Sequence, residues 1–271
     1  MSFDPSLPED GINVSPTHPL REAAVLVVGI TGVVAAAAAL MALLIDSLVA
    51  FVPPSLEHRI FSGLALELPE DAELDPRTAQ VQALLERLME HWPEHSHPVH
   101  ADVLDEELPN AFAFPGGRVF ITSGLLDQVE SENELAFILG HELGHFRGRD
   151  HLSGLGRGAA LALVMAALGA GGAGSAAELG ALAAGIAQRG FDREQELEAD
   201  AFGLSLVASE YGHVAGAWDL FDRLPDPESA FERGVGSYLA THPLDDERIE
   251  ALRTLASERG WPASRSTTPF E

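Results

Sequence analysis

Ser131-Glu-Asn-Glu-Leu-Ala-Phe-Ile-Leu-Gly-His-Glu-Leu-Gly-His145 opens with a helix start and closes on a pair of histidines. Ser131 with Glu134 three residues on is a capping-box pattern, and the apolar run Leu135-Ala-Phe-Ile-Leu139 follows it, so a helix is expected from near residue 132 toward Gly148. On that helix His141 and His145 project from one face about one turn apart. Their imidazoles can therefore converge on a single zinc ion at about 2.0 to 2.1 Å. Glu142 would lie beside the ion, where it can take a proton from water. In a chain this rich in His and Glu, a chance H-E-x-x-H has a probability of roughly 4%, so the motif alone is suggestive and no more.

A third ligand is needed, and two candidates imply different architectures. His151 completes the longer pattern H-E-x-x-H-x-x-G-x-x-H from His141, with Gly148 placed to turn the chain, which would make a metzincin. That class also carries a methionine turn beneath the metal. The only methionine after the site, Met165, stands in Ala-Leu-Val-Met-Ala-Ala, which reads as helix. The second candidate is Glu196 in Arg193-Glu-Gln-Glu-Leu-Glu-Ala-Asp200. If this segment is helical, Glu196 and Asp200 share a face, so the first can reach zinc while the second accepts a hydrogen bond from a ligating imidazole. The plainer reading of the same segment is a solvated acidic helix.

The chain has 271 residues, 46% of them apolar, enough for one membrane anchor and one domain of roughly 180 to 200 residues. Forty-two Asp and Glu against sixteen Lys and Arg give a formal charge of −26, which repels polyphosphates and argues against a nucleic-acid partner. The sequence contains neither cysteine nor lysine. That excludes disulfides, thiolate nucleophiles, Cys-ligated zinc, Schiff-base chemistry and a Walker-type phosphate loop. No G-x-S-x-G occurs, so serine hydrolysis has no support either.

From Ala23 to Ile45 the chain carries no charge, and after Asp46 it stays apolar to Val52 before Pro53-Pro54. At about 1.5 Å per residue, that run covers the roughly 30 Å hydrocarbon thickness of a bilayer and reads as one transmembrane helix contacting lipid through residues 23–52. The leader is acidic (Asp4, Glu9, Asp10), unlike a cleavable signal, so the anchor is expected to be retained. Arg21 and Arg59 flank it nearly evenly and leave its orientation open. The organisation read from this is a tail at 1–22, the anchor at 23–52, a connector at 53–75, a catalytic domain at 76–255 and a tail at 256–271, frayed after Arg265.

Within the domain, Asp75 and Pro76 mark a helix start, followed by Val81, Leu84, Leu85, Leu88, Met89 and Trp92 at helical spacing. Val99–Val103, Asn110–Ala113 and Arg118–Thr122 read as short strands, the last after Gly116-Gly117. Gly158 to Ala177 is uncharged but broken by glycines and reads as an Ala/Gly-rich helical hairpin over or beside the site, the alternative being a second membrane hairpin. The fold class is thus α+β, a mainly helical zincin-like domain with a small sheet, preceded by the anchor.

Four motifs in order resemble the membrane-associated zinc endopeptidases that include the CAAX prenyl endopeptidase and the bacterial heat-shock protease HtpX. They are Asn110-Ala-Phe-Ala113, His141-Glu-Leu-Gly-His145, Glu196-Leu-Glu-Ala-Asp200 within an Arg-x-x-Glu-x-x-Ala-Asp context, and Thr241-His-Pro243 followed by Arg248-Ile249. The resemblance covers about residues 76 to 255 and implies one zinc per chain, held by His141, His145 and Glu196, with Glu142 as general base. It further implies that Asn110, Ala111, Phe112 and Ala113 pair a substrate backbone, and that Asp200 and Arg248 support the ligands. By the same resemblance His242 looks like the family histidine near the metal, expected either to donate to the tetrahedral intermediate or to cap the open position. It also implies protein or peptide substrates, such as misfolded membrane or envelope proteins, and a single-pass location in a bacterial cell membrane. One span is too few to enclose a prenylated substrate, so such substrates are not implied. The rival of another class is a membrane-tethered chaperone or assembly factor with a structural zinc, against which the base Glu142 argues.

Overall fold

The computed structural model describes residues 18–49, 51–53, 55–57, 75–95, 98–154, 156, 191–223, 238, 242 and 246–270, without the side chains at 35, 38, 41–43, 45, 46 and 48. Almost all of the connector expected at 53–75, the hairpin expected from Gly158 to Ala177, Met165, and the neighbours of His242 in the Thr-His-Pro motif lie outside the described residues.

Seven helices and three strands are described: α1 Pro19–Val49, α2 Thr78–Glu90, β1 His100–Leu104, β2 Ala111–Phe114, β3 Arg118–Thr122, α3 Ser123–Leu126, α4 Glu132–Gly148, α5 Arg193–Tyr211, α6 Asp219–Arg223 and α7 Asp246–Arg259. The fold is mainly helical with one small sheet. Among the described residues no helix is long and apolar enough to cross a membrane, and the anchor expected over 23–52 lies only partly within them.

The apolar spacing of α2 is realised as a buried stripe of Val81, Leu84, Leu85, Leu88 and Met89. The helix starts later than expected, at Thr78 with Arg77 in the N-cap position and no side-chain cap there, so Asp75 and Pro76 form the turn that leads into it. Asp75 accepts the Arg77 N–H through its carboxylate at 2.8 Å and the Thr78 N–H through its carbonyl at 2.9 Å. In the sheet, β3 is central, parallel to β1 and antiparallel to β2. Val119, Phe120 and Ile121 are all buried, as a strand covered on both faces requires. Gly116 and Gly117 turn β2 into β3 at φ 91° and 88°, a backbone region that side chains disfavour.

Helix α4 begins at its Ser131 cap, whose Oγ accepts the Glu134 N–H at 3.3 Å. Its next orphan donor is taken by the C-terminal tail: the Glu132 N–H bonds the Thr268 carbonyl at 2.8 Å, while the Thr268 N–H donates to Asn133 Oδ1 at 2.8 Å. Ser131 and Pro269 form an isolated bridge. The tail expected to fray after Arg265 is therefore docked. It supplies an acceptor to one N–H of a helix N-terminus that has no partner within the helix.

Helix α5 starts in a full capping box between Asp192 and Gln195 and packs directly on α4. Small residues let the two backbones touch. A Cβ on Gly144 would lie 2.6 Å from Ala199 Cα, and one on Gly203 would lie 2.8 Å from the His141 nitrogen. That closeness, set by glycine at the crossing, brings the carboxylates of α5 within reach of the histidines of α4. Helix α7 packs against α5 from another side and carries Arg248 inward.

Candidate metal centre

Four donors converge where α4 and α5 cross. His141 Nε2 and His145 Nε2 are 3.1 Å apart, and His242 Nδ1 is 3.1 Å from both His141 Nε2 and Glu196 Oε1. Glu196 completes the group at 3.4 Å from His145 Nε2 and 3.6 Å from His141 Nε2. A tetrahedral zinc ion with ligands about 2.0 to 2.1 Å away holds those ligands about 3.3 to 3.4 Å from one another. The observed separations scatter around that value, and all four side chains are buried.

Each α4 imidazole is oriented from behind by a carboxylate. His141 Nδ1 donates to Asp200 Oδ1 at 2.9 Å, and His145 Nδ1 donates to Asp150 Oδ2 at 2.8 Å. Both rings thus turn their Nε2 atoms toward the centre. Two such nitrogens 3.1 Å apart need a proton or a cation between them. Burial pulls the His145 pKa down, but hydrogen bonds to Asp150 and Glu196 outweigh it and push it up to about 9.

Arg248 closes the rear of the cage. Its Nη1 lies 2.5 Å from Glu196 Oε2, while Nε and Nη2 each reach an Asp200 oxygen at 2.8 Å, a bidentate grip on that carboxylate. Burial raises the Asp200 carboxyl pKa, yet hydrogen bonds from His141 and Arg248 prevail and hold it below its ordinary value. Glu196 is likewise held well below the usual carboxylate range, against burial, by His145 and His242. Both carboxylates are therefore held in the ionised form, the form that a metal ligand and its support would need.

Glu142 differs from the others. It is fully buried, and among the described residues neither of its oxygens has a hydrogen-bond partner. Its Oε1 lies 3.4 Å from His242 Nε2. Leaving a carboxylate so exposed to a low dielectric is costly, which fits a group that acts on water or substrate beside a cation rather than one that builds the fold. The donor set, its spacing and this orphaned base together fit a zinc site with a catalytic position.

Residues 75–256 match the model of Peptidase family M48. The chain belongs to that family. M48 members are metallopeptidases that use zinc, in keeping with the donor cluster found here. Among its relatives, the mitochondrial metalloendopeptidase OMA1 of Arabidopsis thaliana is 29% identical over 158 residues, which is 55% of this chain and 30% of the relative. The beta-barrel assembly-enhancing protease of Yersinia pestis is 29% identical over 197 residues, 68% of this chain and 40% of the relative. The metalloprotease LoiP of Escherichia coli K12 is 30% identical over 170 residues, 61% of this chain and 66% of the relative. The first two are thus matched over less than half of their own lengths.

Of the site residues expected of this M48 chain, the fold brings together His141, Glu142, His145, Glu196, Asp200, His242 and Arg248. His151 is not among them. It is buried elsewhere, its Nε2 2.8 Å from Glu57 Oε1, which leaves the metzincin arrangement without its third imidazole. Asn110 to Ala113 falls on and beside β2, which lies against α4 and which the described residues pair on one side only, with β3.

Two supports escaped the sequence reading. Asp150 mirrors Asp200 by holding the second imidazole, and it accepts a further bond from Gln195 Nε2 at 2.6 Å. Phe191 stacks on the His145 ring at a centroid distance of 3.8 Å. An acidic residue just past the helix end, five after His145, was the available signal for Asp150, since a chain that turns there can fold back on its own last turn.

Proposed function

We propose that this chain is a membrane-tethered zinc endopeptidase that hydrolyses peptide bonds of proteins at or near a membrane. The observation that carries the reading is the buried Glu142 carboxylate, unpartnered among the described residues, beside a four-donor cage.

In this reading His141, His145 and Glu196 hold the zinc, oriented by Asp200, Asp150 and Arg248. The zinc, when bound, supplies the positive charge that acidifies water and polarises the scissile carbonyl. Glu142 receives the water proton and delivers it to the leaving amine, so no covalent enzyme intermediate is needed. His242, with Nδ1 in the fourth corner, caps the open position until substrate enters; once swung aside, its ring is free to donate to the oxyanion. The edge of β2 next to α4 is suited to pairing an extended substrate backbone through Asn110, Ala111, Phe112 and Ala113, reading amides before side chains. Likeness to the CAAX prenyl endopeptidase and HtpX is proposed at the level of motif order, and misfolded membrane or envelope proteins as the substrate class, in a bacterial cell membrane.

The anchor is supported by the uncharged run at its start and by the helix that carries it. Val25, Leu26, Val27 and Val28 are consecutive on α1 and each more than 60% exposed: 65%, 63%, 62% and 71%. Successive residues of a helix point about 100° apart, so apolar side chains stand open all round it, an arrangement suited to lipid.

Two measurements test this. Full-length protein purified in detergent with zinc should cut unfolded casein, lose that activity on chelation and regain it with added zinc; no cleavage in any state would refute the peptidase. Carbonate extraction should leave the full-length chain in the membrane pellet, and its release into the supernatant would refute the anchor.

A further inference from the structure

The end of the active-site helix is tied to the segment that follows α1. Arg149 caps α4 in the left-handed region at φ 60°, the one non-glycine residue with positive φ among the described residues. A side chain there costs about 1 kcal/mol or more relative to glycine, so something must hold it. Its Nη1 donates to the carbonyl of Val49, the last residue of α1, at 2.9 Å and to that of Val52, three residues beyond the helix, at 2.5 Å. Its Nη2 donates to Glu57 Oε2 at 3.0 Å.

Glu57 is 2% exposed, and its other oxygen is 2.8 Å from His151 Nε2. Burial opposes the charge on Glu57, yet His151 and Arg149 overcome it and hold the carboxyl at about 2. Between these two partners Asp150 points the other way, onto His145 Nδ1 and Gln195 Nε2, the neighbour of Glu196. Three consecutive residues therefore link two regions. The outer two grip the chain after α1, and the middle one aligns a metal ligand.

We propose that Arg149 and Glu57 are positioning residues that fasten the Arg149–His151 turn to the end of α1 and thereby hold Asp150, and through it the His145 imidazole, in the metal-binding orientation. This rests on the zinc-peptidase reading of the site. It follows that the placement of the proposed anchor is felt at a metal ligand through a buried polar clasp rather than through a flexible tether.

The test uses full-length protein in detergent, comparing wild type with Arg149→Gly, Glu57→Gln and the double variant. Zinc affinity is measured by competition with a chromophoric chelator, alongside melting temperature and the kinetics of a quenched peptide. Partners of metal ligands typically contribute 10-fold to 100-fold in affinity, and an outer support less. Each single variant is expected to lose about tenfold in zinc affinity, with kcat reduced and KM unchanged, and the double variant to fall no further than the weaker single. Glycine adopts the left-handed conformation freely, so Arg149→Gly relieves backbone strain and decides alone if Glu57→Gln does not fold. Wild-type zinc affinity in Arg149→Gly, with or without a lower melting temperature, would overturn the proposal. A wild type that binds zinc but cuts nothing would instead sink the peptidase reading and leave the clasp to be judged on zinc affinity.

Discussion

Glu142→Gln is expected to keep its zinc and lose cleavage of an unfolded protein, with kcat/KM down by about 10³-fold. Glu142 sits beside the donor cage without belonging to it: the four converging donors are His141, His145, Glu196 and His242. Glutamine preserves the shape of a side chain that is 0% exposed, so packing is unchanged. It also removes a buried negative charge that has no hydrogen-bond partner among the described residues, so the variant should be no less stable than wild type. What it cannot do is accept a proton. Metal analysis together with a casein assay on both proteins checks this, and equal activity would refute the role of Glu142.

Glu196→Ala is expected to empty the site, with zinc affinity down by at least about 100-fold, while His151→Ala retains stoichiometric zinc. Loss of the carboxylate removes one of the four converging donors and strips Arg248 Nη1 of a partner at 2.5 Å in a buried setting. Breaking one side of a buried ion pair costs about 3–5 kcal/mol, so Glu196→Gln, which keeps the volume, is the control that separates metal loss from unfolding. His151 contacts Glu57 instead of the cage. Zinc content of the purified variants decides: normal metal in Glu196→Ala with loss in His151→Ala would reverse the ligand assignment.

Much of this site could be read before the fold was known because its chemistry is local in sequence. The capped helix and the turn-spaced histidines needed only helical periodicity, and α4 runs Glu132–Gly148 close to the expected limits. Glu196 and Asp200 were placed on one face by the same periodicity. Choosing Glu196 over His151, however, rests on the resemblance carried by four ordered motifs, because periodicity within one helix carries no information on which helix it meets. Asp150 and Phe191 were missed for the same reason. Their roles arise from the turn after α4 and the entry to α5, where side-chain direction depends on the left-handed Arg149 rather than on a repeating pattern. The tail misread as frayed is polar and carries no periodic signal, yet it docks because α4 begins with donors that need acceptors.

The central claim is that Glu196 closes a cage with the two α4 imidazoles. Zinc-edge X-ray absorption on the full-length protein tests it most directly, compared with Glu196→Gln and His151→Ala. One zinc with oxygen and imidazole ligands at about 2.0 to 2.1 Å, unchanged in His151→Ala and disrupted in Glu196→Gln, is the predicted result. A spectrum that changes with His151 and not with Glu196, or a wild-type protein that binds no zinc, would contradict it.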